Sequence, residues 1–291
     1  MYRIHIVVNP SFYRGEVSDQ CETLTDRLRE RGARAEVLFS DAFPWGFCNG
    51  APVGGLHADL TVFLNKDHLL SSFLEKKGEL LLNSAESVRI CDDKCLTYLA
   101  LSGKGIPFPE TIPAPMLYRG SDGEDFLRRV GEKLGYPVVA KCRCGSMGKQ
   151  VFLAGNEEEL FAVAGKIGPV PHLYQAFYGT KGEDVRVVVI GGRAVCAMKR
   201  KNEGDFRSNV AEGGKGYACN LTEKQREIAE KCACVLGLDY CGVDLLTDGE
   251  GNASVCEVNS NAFFRGATEA TGTDVADALA QHILYKIIKN R

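Results

Sequence analysis

Two acidic residues stand where a chain can least accommodate an idle charge: Asp244 within Cys-Gly-Val-Asp-Leu-Leu (241–246) and Glu257 within Val-Cys-Glu-Val-Asn (255–259). Both runs have the composition of buried strands, and an unpaired carboxylate is costly to bury. Between them, Asp248-Gly249-Glu250-Gly251-Asn252 reads as a turn. The flanking runs are therefore expected as antiparallel strands, Tyr240 to Thr247 and Ala253 to Val258. A turn centred near Glu250 sets Asp244 across from Glu257, and alternation puts Glu257 and Asn259 on one face. Three oxygen ligands then converge, a hard donor set that suits Mg²⁺ or Mn²⁺. The alternative, a solvated sheet face carrying ordinary acids, fits the apolar context poorly.

The rest of the chain alternates strand-like and helix-like patterns. Strands are expected at Ile4 to Val8, Ala35 to Phe39, Leu60 to Leu64 and Glu79 to Leu82, with a helix from Val17 to Arg31 closed by Gly32. Residues 41–57, rich in Gly and Pro, read as a long loop. Ser84 is placed to cap a short helix, and another is expected from Asp92 to Gly103. Beyond it come a helix from Phe126 to Gly135, strands Tyr136 to Cys142 and Gln150 to Ala154, and strands Leu173 to Phe177, Asp184 to Ile190 and Ala194 to Arg200. A polar loop (201–217), a helix from Thr222 to Leu236 and a last helix from Thr273 to Ile288 complete the reading.

Composition excludes several classes. The 291 residues are 45% hydrophobic and 25% charged, ordinary for a globular chain, and the formal charge of -3 makes a general nucleic-acid surface implausible. No apolar run approaches the roughly 18 residues of a membrane span. The N-terminus reads as a first strand rather than a signal peptide, so a cytoplasmic location is expected. The twelve cysteines form no C-x-x-C unit and are read as reduced, mostly buried side chains.

Two further stretches carry chemistry. Lys141 ends a strand and is followed by Gly145-Ser146-Met147-Gly148, and the chain then returns as a strand. That makes a hairpin, not the strand-to-helix unit of a dinucleotide fold. Glycines let backbone N–H groups approach an anion, although the motif alone is weak. Gly204-Asp205-Phe206-Arg207-Ser208-Asn209, preceded by Lys199-Arg200-Lys201, bundles donors suited to phosphate or carboxylate.

Taken in order, Asp92-Asp93-Lys94, Val138-Val139-Ala140-Lys141 with its glycine turn, Gly182-Glu183-Asp184-Val185-Arg186, Gly204 to Asn209, Gly242-Val243-Asp244-Leu245-Leu246 and Glu257-Val258-Asn259-Ser260 closely resemble the RimK-like group of ATP-grasp ligases. The resemblance spans residues 83 to 280. It implies an α/β and α+β chain: an N-terminal Rossmann-like pre-ATP-grasp domain (1–88), then a two-lobed ATP-grasp fold with a central lobe and Gly-rich lid (89–172) and a C-terminal lobe bearing the metal site (173–291).

It also implies ATP and two Mg²⁺ (or Mn²⁺) as cofactors. Lys94 and Lys141 would contact phosphates beneath the lid Gly145, Ser146, Met147 and Gly148. Gln175, Ala176 and Phe177 would face the adenine, and Asp184 the ribose. Arg207, Ser208 and Asn209 would reach the phosphates and the reacting carboxylate, with Arg207 and Asn209 catalytic. Asp244, Glu257 and Asn259 would hold the metals. Arg186 matches a family position without a defined role. The implied reaction is ATP-dependent ligation of a carboxylate to an amine through an acyl phosphate, adding glutamate or a related amino acid to a small-molecule, peptide or protein acceptor, with self-association open.

One departure falls in the adenine connector and two fall on the substrate side. Ala176 replaces the usual Glu of the connector, Ala211-Glu212 replaces His-Arg, and Asn259 is followed by Ser260-Asn261-Ala262-Phe263-Phe264-Arg265-Gly266. Arg265 is expected to clamp a substrate carboxylate. A ligase of another substrate class, and a non-catalytic ATP-binding module, remain as alternatives.

Overall fold

The computed structural model describes residues 1–145, 148, 150–208 and 214–290, so the expectations placed on Ser146, Met147 and Asn209 lie outside the described residues. The N-terminal apolar runs form a parallel sheet. Its elements are β1 (Arg3–Val8), α1 (Glu16–Glu30), β2 (Arg34–Phe39), the hairpin β3 (Trp45–Cys48) and β4 (Ala51–Gly54), β5 (Leu60–Leu64), α2 (His68–Lys76) and β6 (Leu81–Leu82), with sheet order β2-β1-β5-β6. Ile4, Ile6, Val7 and Val8 are wholly buried because the sheet is covered on both faces, by α1 through Leu24 and Leu28 and by α2 through Leu70, Phe73 and Leu74. The loop expected at 41–57 contains the β3–β4 hairpin instead. Its turn is Asn49-Gly50, both residues at positive φ, the pairing such tight turns favour.

Next come α3 (Ala85–Asp92) and α4 (Lys94–Leu101). Ser84 caps the first as expected, accepting from Ser87 N. The single helix expected from Asp92 is broken at Asp93, whose backbone is extended and whose carboxylate caps α4 by accepting from Cys95 N and Leu96 N. Cys91, Leu101 and Ile106 pack with Ile228 and Val243, so this stretch, expected in the central lobe, shares a core with the C-terminal sheet. The central sheet consists of β7 (Thr111–Pro113), β8 (Val138–Cys142), β9 (Val151–Ala154) and β10 (His172–Ala176), ordered β7-β10-β8-β9 and antiparallel. It is backed by α5 (Glu124–Leu134) and α6 (Glu157–Ile167). The latter was not expected, although Asn156 caps it and three glutamates open its first turn.

The third sheet runs β13-β12-β11-β14-β15, from β11 (Glu183–Ile190), β12 (Arg193–Lys201), β13 (Lys215–Ala218), β14 (Tyr240–Thr247) and β15 (Ala253–Asn259), all antiparallel. Strand β13 occupies the end of the expected polar loop. Helix α7 (Glu223–Val235) opens with the expected Thr222–Gln225 capping box. Helix α8 (Arg265–Thr271) was not expected, and α9 (Val275–Lys289) closes the chain. Leu279 and Ile283 of α9 join the core of Leu24 and Leu28, and Arg27 and Arg31 pair with Asp274 and Asp277, tying the N-terminal layer to the last helix. No helix among the described residues is long and apolar enough to cross a membrane.

Candidate active site

The β14–β15 register pairs Asp244 with Glu257 and Gly242 with Asn259, as the turn position required. The register shifts between Asp244 and Leu245, which pairs with Val255, so Cys256 is the extra residue of a bulge. Such bulges re-aim side chains beside active sites. Asp244 is 2% exposed. Arg186 donates to its two oxygens at 2.7 Å each, Arg200 Nη2 approaches Oδ2 at 3.0 Å, and Asn259 Nδ2 lies 3.4 Å from the same oxygen. Arg200 also holds both oxygens of Asp184, with Nε to Oδ1 at 2.7 Å. Burial opposes charge on each group, but mutual attraction prevails: Asp244 is held below the ordinary carboxylate range and Arg200 above the ordinary guanidinium value.

The oxygen donors fit a divalent cation. Each carboxylate oxygen offers about two lone-pair directions; Arg186, Arg200 and Asn259 crowd Oδ2 of Asp244, whereas Oδ1 accepts from Arg186 Nε and keeps one direction to give. Glu257 is less engaged, with Lys94 Nζ at 3.5 Å from Oε1. Among the described residues no cluster of three or more His, Cys, Asp or Glu forms a metal site; the third donor here is the amide of Asn259.

A cavity opens between the central and C-terminal sheets, lined by Asp244 and Glu257 and by Lys141 of β8. Lys141 is 6% exposed, and among the described residues its hydrogen-bond partners are Gln175 Oε1 at 2.7 Å and Cys256 Sγ at 3.6 Å. Neither carries the countercharge a buried ammonium demands. Lys94 lines the same space, within 3.5 Å of Gly145 O. Across the opening Arg207 Nη1 donates to Gly148 O at 2.7 Å, joining the glycine turn to the 204–208 loop, while Asp205 pairs with the rest of the guanidinium. Gly148 has φ of 73°, a region that favours glycine. The turn is anchored at its base by a β-bridge between Asp93 and Cys144 and by the Arg143–Asp93 ion pair.

Most of the residues singled out from sequence thus meet in one space. Lys94, Lys141, Gly145 and Gly148 line it with Arg207 and Ser208; so do Gln175, Ala176, Phe177 and Asp184. Three placements differ from expectation. The Asp184 carboxylate is taken up by Arg200, and its neighbour Glu183 also lines the cavity. The amides of Ala176 and Phe177 already donate to Glu110 O and Pro137 O, and the Gln175 side chain turns toward Lys141. Arg265, expected as a substrate clamp, does not line the cavity: it pairs with Asp19 at 2.6 Å and Glu269 at 2.8 Å on an exposed surface, because it opens α8 beside α1.

Arg200 is the residue that sequence reading undervalued. It sits in the basic run Lys199-Arg200-Lys201, yet on β12 its two neighbours are partly or fully exposed while Arg200 is 2% exposed. Strand alternation was the available signal.

Residues 91–283 match the RimK-like ATP-grasp domain family. The chain belongs to this family. Among its relatives, human N-acetylaspartylglutamate synthase A is 38% identical over 223 residues, covering 75% of this chain and 55% of that protein. Human beta-citrylglutamate synthase B is 36% identical over 275 residues, covering 93% and 68%. A probable alpha-L-glutamate ligase of Halorhodospira halophila is 37% identical over 213 residues, covering 72% and 68%. The chain spans about half the length of the N-acetylaspartylglutamate synthases and of zebrafish beta-citrylglutamate synthase B. The crystal structure of a RimK domain ATP-grasp protein from Sphaerobacter thermophilus superimposes with a TM-score of 0.74 at 22% identity, covering 97% and 99% of the two chains. D-cycloserine synthetase DcsG gives 0.76 at 16%, covering 98% and 99%. These structures show that the RimK-like chain has the ATP-grasp fold.

Proposed function

We propose that this chain is an ATP- and Mg²⁺-dependent carboxylate–amine ligase that joins glutamate or a related amino acid to an acceptor carboxylate, releasing ADP and phosphate. The observation that carries the reading is Lys141: a buried ammonium whose hydrogen-bond partners among the described residues are neutral, lining a cavity that two carboxylates also line. A space built this way suits an anion that brings its own cations. The names of the relatives add the direction, since N-acetylaspartylglutamate and beta-citrylglutamate both contain glutamate.

A carboxylate repels nucleophiles, so amide formation needs an activated acyl group. Phosphoryl transfer demands placement and charge neutralisation more than covalent help. Lys94, Lys141 and Arg207 supply fixed positive charge for phosphate oxygens, and Lys141, held between β8 and β10, supplies it without rearrangement. Glu257, Asn259 and the remaining lone pair of Asp244 would hold Mg²⁺, which neutralises phosphate charge when bound. Amine attack on the acyl phosphate builds a tetrahedral oxyanion, which Arg207 would stabilise, and its collapse expels phosphate and leaves the amide. Asn209, outside the described residues, shares this role in the same reading. The acceptor is a small molecule, peptide or protein, and the location cytoplasmic.

The test is ADP release across amino acids and candidate carboxylates, with mass spectrometry of the product. The expected result is turnover that requires both partners and disappears in Glu257→Gln. Unimpaired turnover in that variant would remove Glu257 from the site, and turnover without any amine would refute ligation.

A further inference from the structure

Gln175 lies on β10 beside Lys141 of β8. Lys141 pairs with Leu173 in that ladder, which makes Gln175 its diagonal neighbour on the same face. The side chain is 1% exposed, and its hydrogen-bond roles follow from where neighbouring protons go. The Tyr98 hydroxyl donates to Cys256 O at 2.6 Å, and the Thr111 hydroxyl donates to Pro109 O at 2.7 Å. Each hydroxyl proton is committed, so each oxygen can only accept from Gln175 Nε2, at 3.0 and 2.9 Å. Both amide hydrogens are used on that side. Oε1 is left to face the Lys141 ammonium at 2.7 Å. A flipped amide would set its NH₂ against the ammonium and its carbonyl against two oxygens with no proton to give.

The contact fixes Lys141 without neutralising it. A carboxylate in this position would form an ion pair and cancel much of the positive field in the cavity; an amide orients the ammonium and leaves its charge whole. Tyr98 is itself held by stacking on Phe108, with ring centroids 4.8 Å apart, so the orientation passes from the α4 face through Gln175 to Lys141.

We propose that Gln175 is a positioning residue for phosphate binding, a neutral acceptor whose orientation Tyr98 and Thr111 dictate and which aims the Lys141 ammonium, paired among the described residues with neutral groups, into the cavity. The proposal rests on the reading of the cavity as an ATP site. It assigns Gln175 to the phosphates rather than to the adenine edge.

The test compares wild type, Q175E and Q175M by calorimetric binding of a non-hydrolysable ATP analogue with Mg²⁺, alongside the KM for ATP and for the amino acid and the melting temperature. Q175E is expected to weaken analogue binding by at least about tenfold and Q175M by roughly threefold, with the KM for the amino acid within about twofold of wild type in both. A purely structural role would instead damage both substrates together, or make the apolar Q175M the worse variant; either result overturns the assignment. Q175M alone decides the matter if Q175E does not fold, since wild-type affinity in Q175M would show that no oriented acceptor is needed. Wild-type protein that fails to bind the analogue would sink the ATP-site reading itself.

Discussion

Arg200 Nη2 approaches Asp244 Oδ2 at 3.0 Å, and the same guanidinium holds Asp184 of the neighbouring strand. One buried cation thus joins β12, β11 and β14 at the floor of the cavity. Its removal would leave the buried Asp184 without its guanidinium and Asp244 with Arg186 as its remaining guanidinium, and losing one partner of a buried pair typically costs about 3–5 kcal/mol. Arg200→Met is expected to lower the denaturation free energy by that amount, measured in urea, with Arg200→Lys recovering part of the loss. A variant as stable as wild type would mean that the carboxylates rearrange freely, and the fixed floor described above would be wrong.

Asp239 provides a pH test away from the cavity. Burial pushes its carboxyl up, but hydrogen bonds from His282 (2.8 Å) and Lys286 outweigh this and hold it below the ordinary range. With an unfolded value of about 3.9, the stabilisation is complete above that pH and is lost as pH falls through the lower, folded value. Asp239→Asn should therefore cost about 1–3 kcal/mol at pH 7, and the gap from wild type should close below about pH 4. A gap that persists in stronger acid would show that the carboxylate charge is not the stabilising feature.

The cysteines are expected to divide sharply. Burial pushes the thiols of Cys21, Cys91 and Cys232 up to about 12, which leaves roughly one thiolate in ten thousand at pH 8. Cys48, Cys144 and Cys234 are exposed, and Cys144 also lines the cavity. Under native conditions a thiol reagent should modify these three first, and Mg²⁺ with an ATP analogue should slow Cys144 alone, as read by mass spectrometry of labelled peptides. Equal slowing of Cys144 and Cys234 would point to a global effect rather than occupancy.

Much of this was legible because strand patterns carry a strict period of two. The pairing of Asp244 with Glu257 followed from the turn position, whereas the clustering of Lys94, Lys141 and Arg207 was implied by the family resemblance that the ordered motifs carry. What stayed hidden depends on contacts across elements. Whether Arg265 reaches a substrate depends on Asp19, 246 positions away, which draws it to the surface. The direction of the Gln175 amide is set by two hydroxyls on other elements. The β3–β4 hairpin was obscured by the glycines and prolines around Asn49-Gly50, although that dipeptide is itself a strong hairpin signal. The break at Asp93 was obscured because Asp tolerates a helix interior yet caps one better.

The central claim, ligation through an acyl phosphate, is tested most directly by isotope transfer. The acceptor substrate is prepared with ¹⁸O in the carboxylate, turned over with ATP, Mg²⁺ and the amino acid, and the released phosphate is analysed by mass spectrometry. The account predicts one labelled oxygen in inorganic phosphate together with ADP, because the carboxylate oxygen that attacks the γ-phosphorus leaves with it when the amine displaces phosphate. Label in AMP, or unlabelled phosphate accompanying amide product, would contradict it.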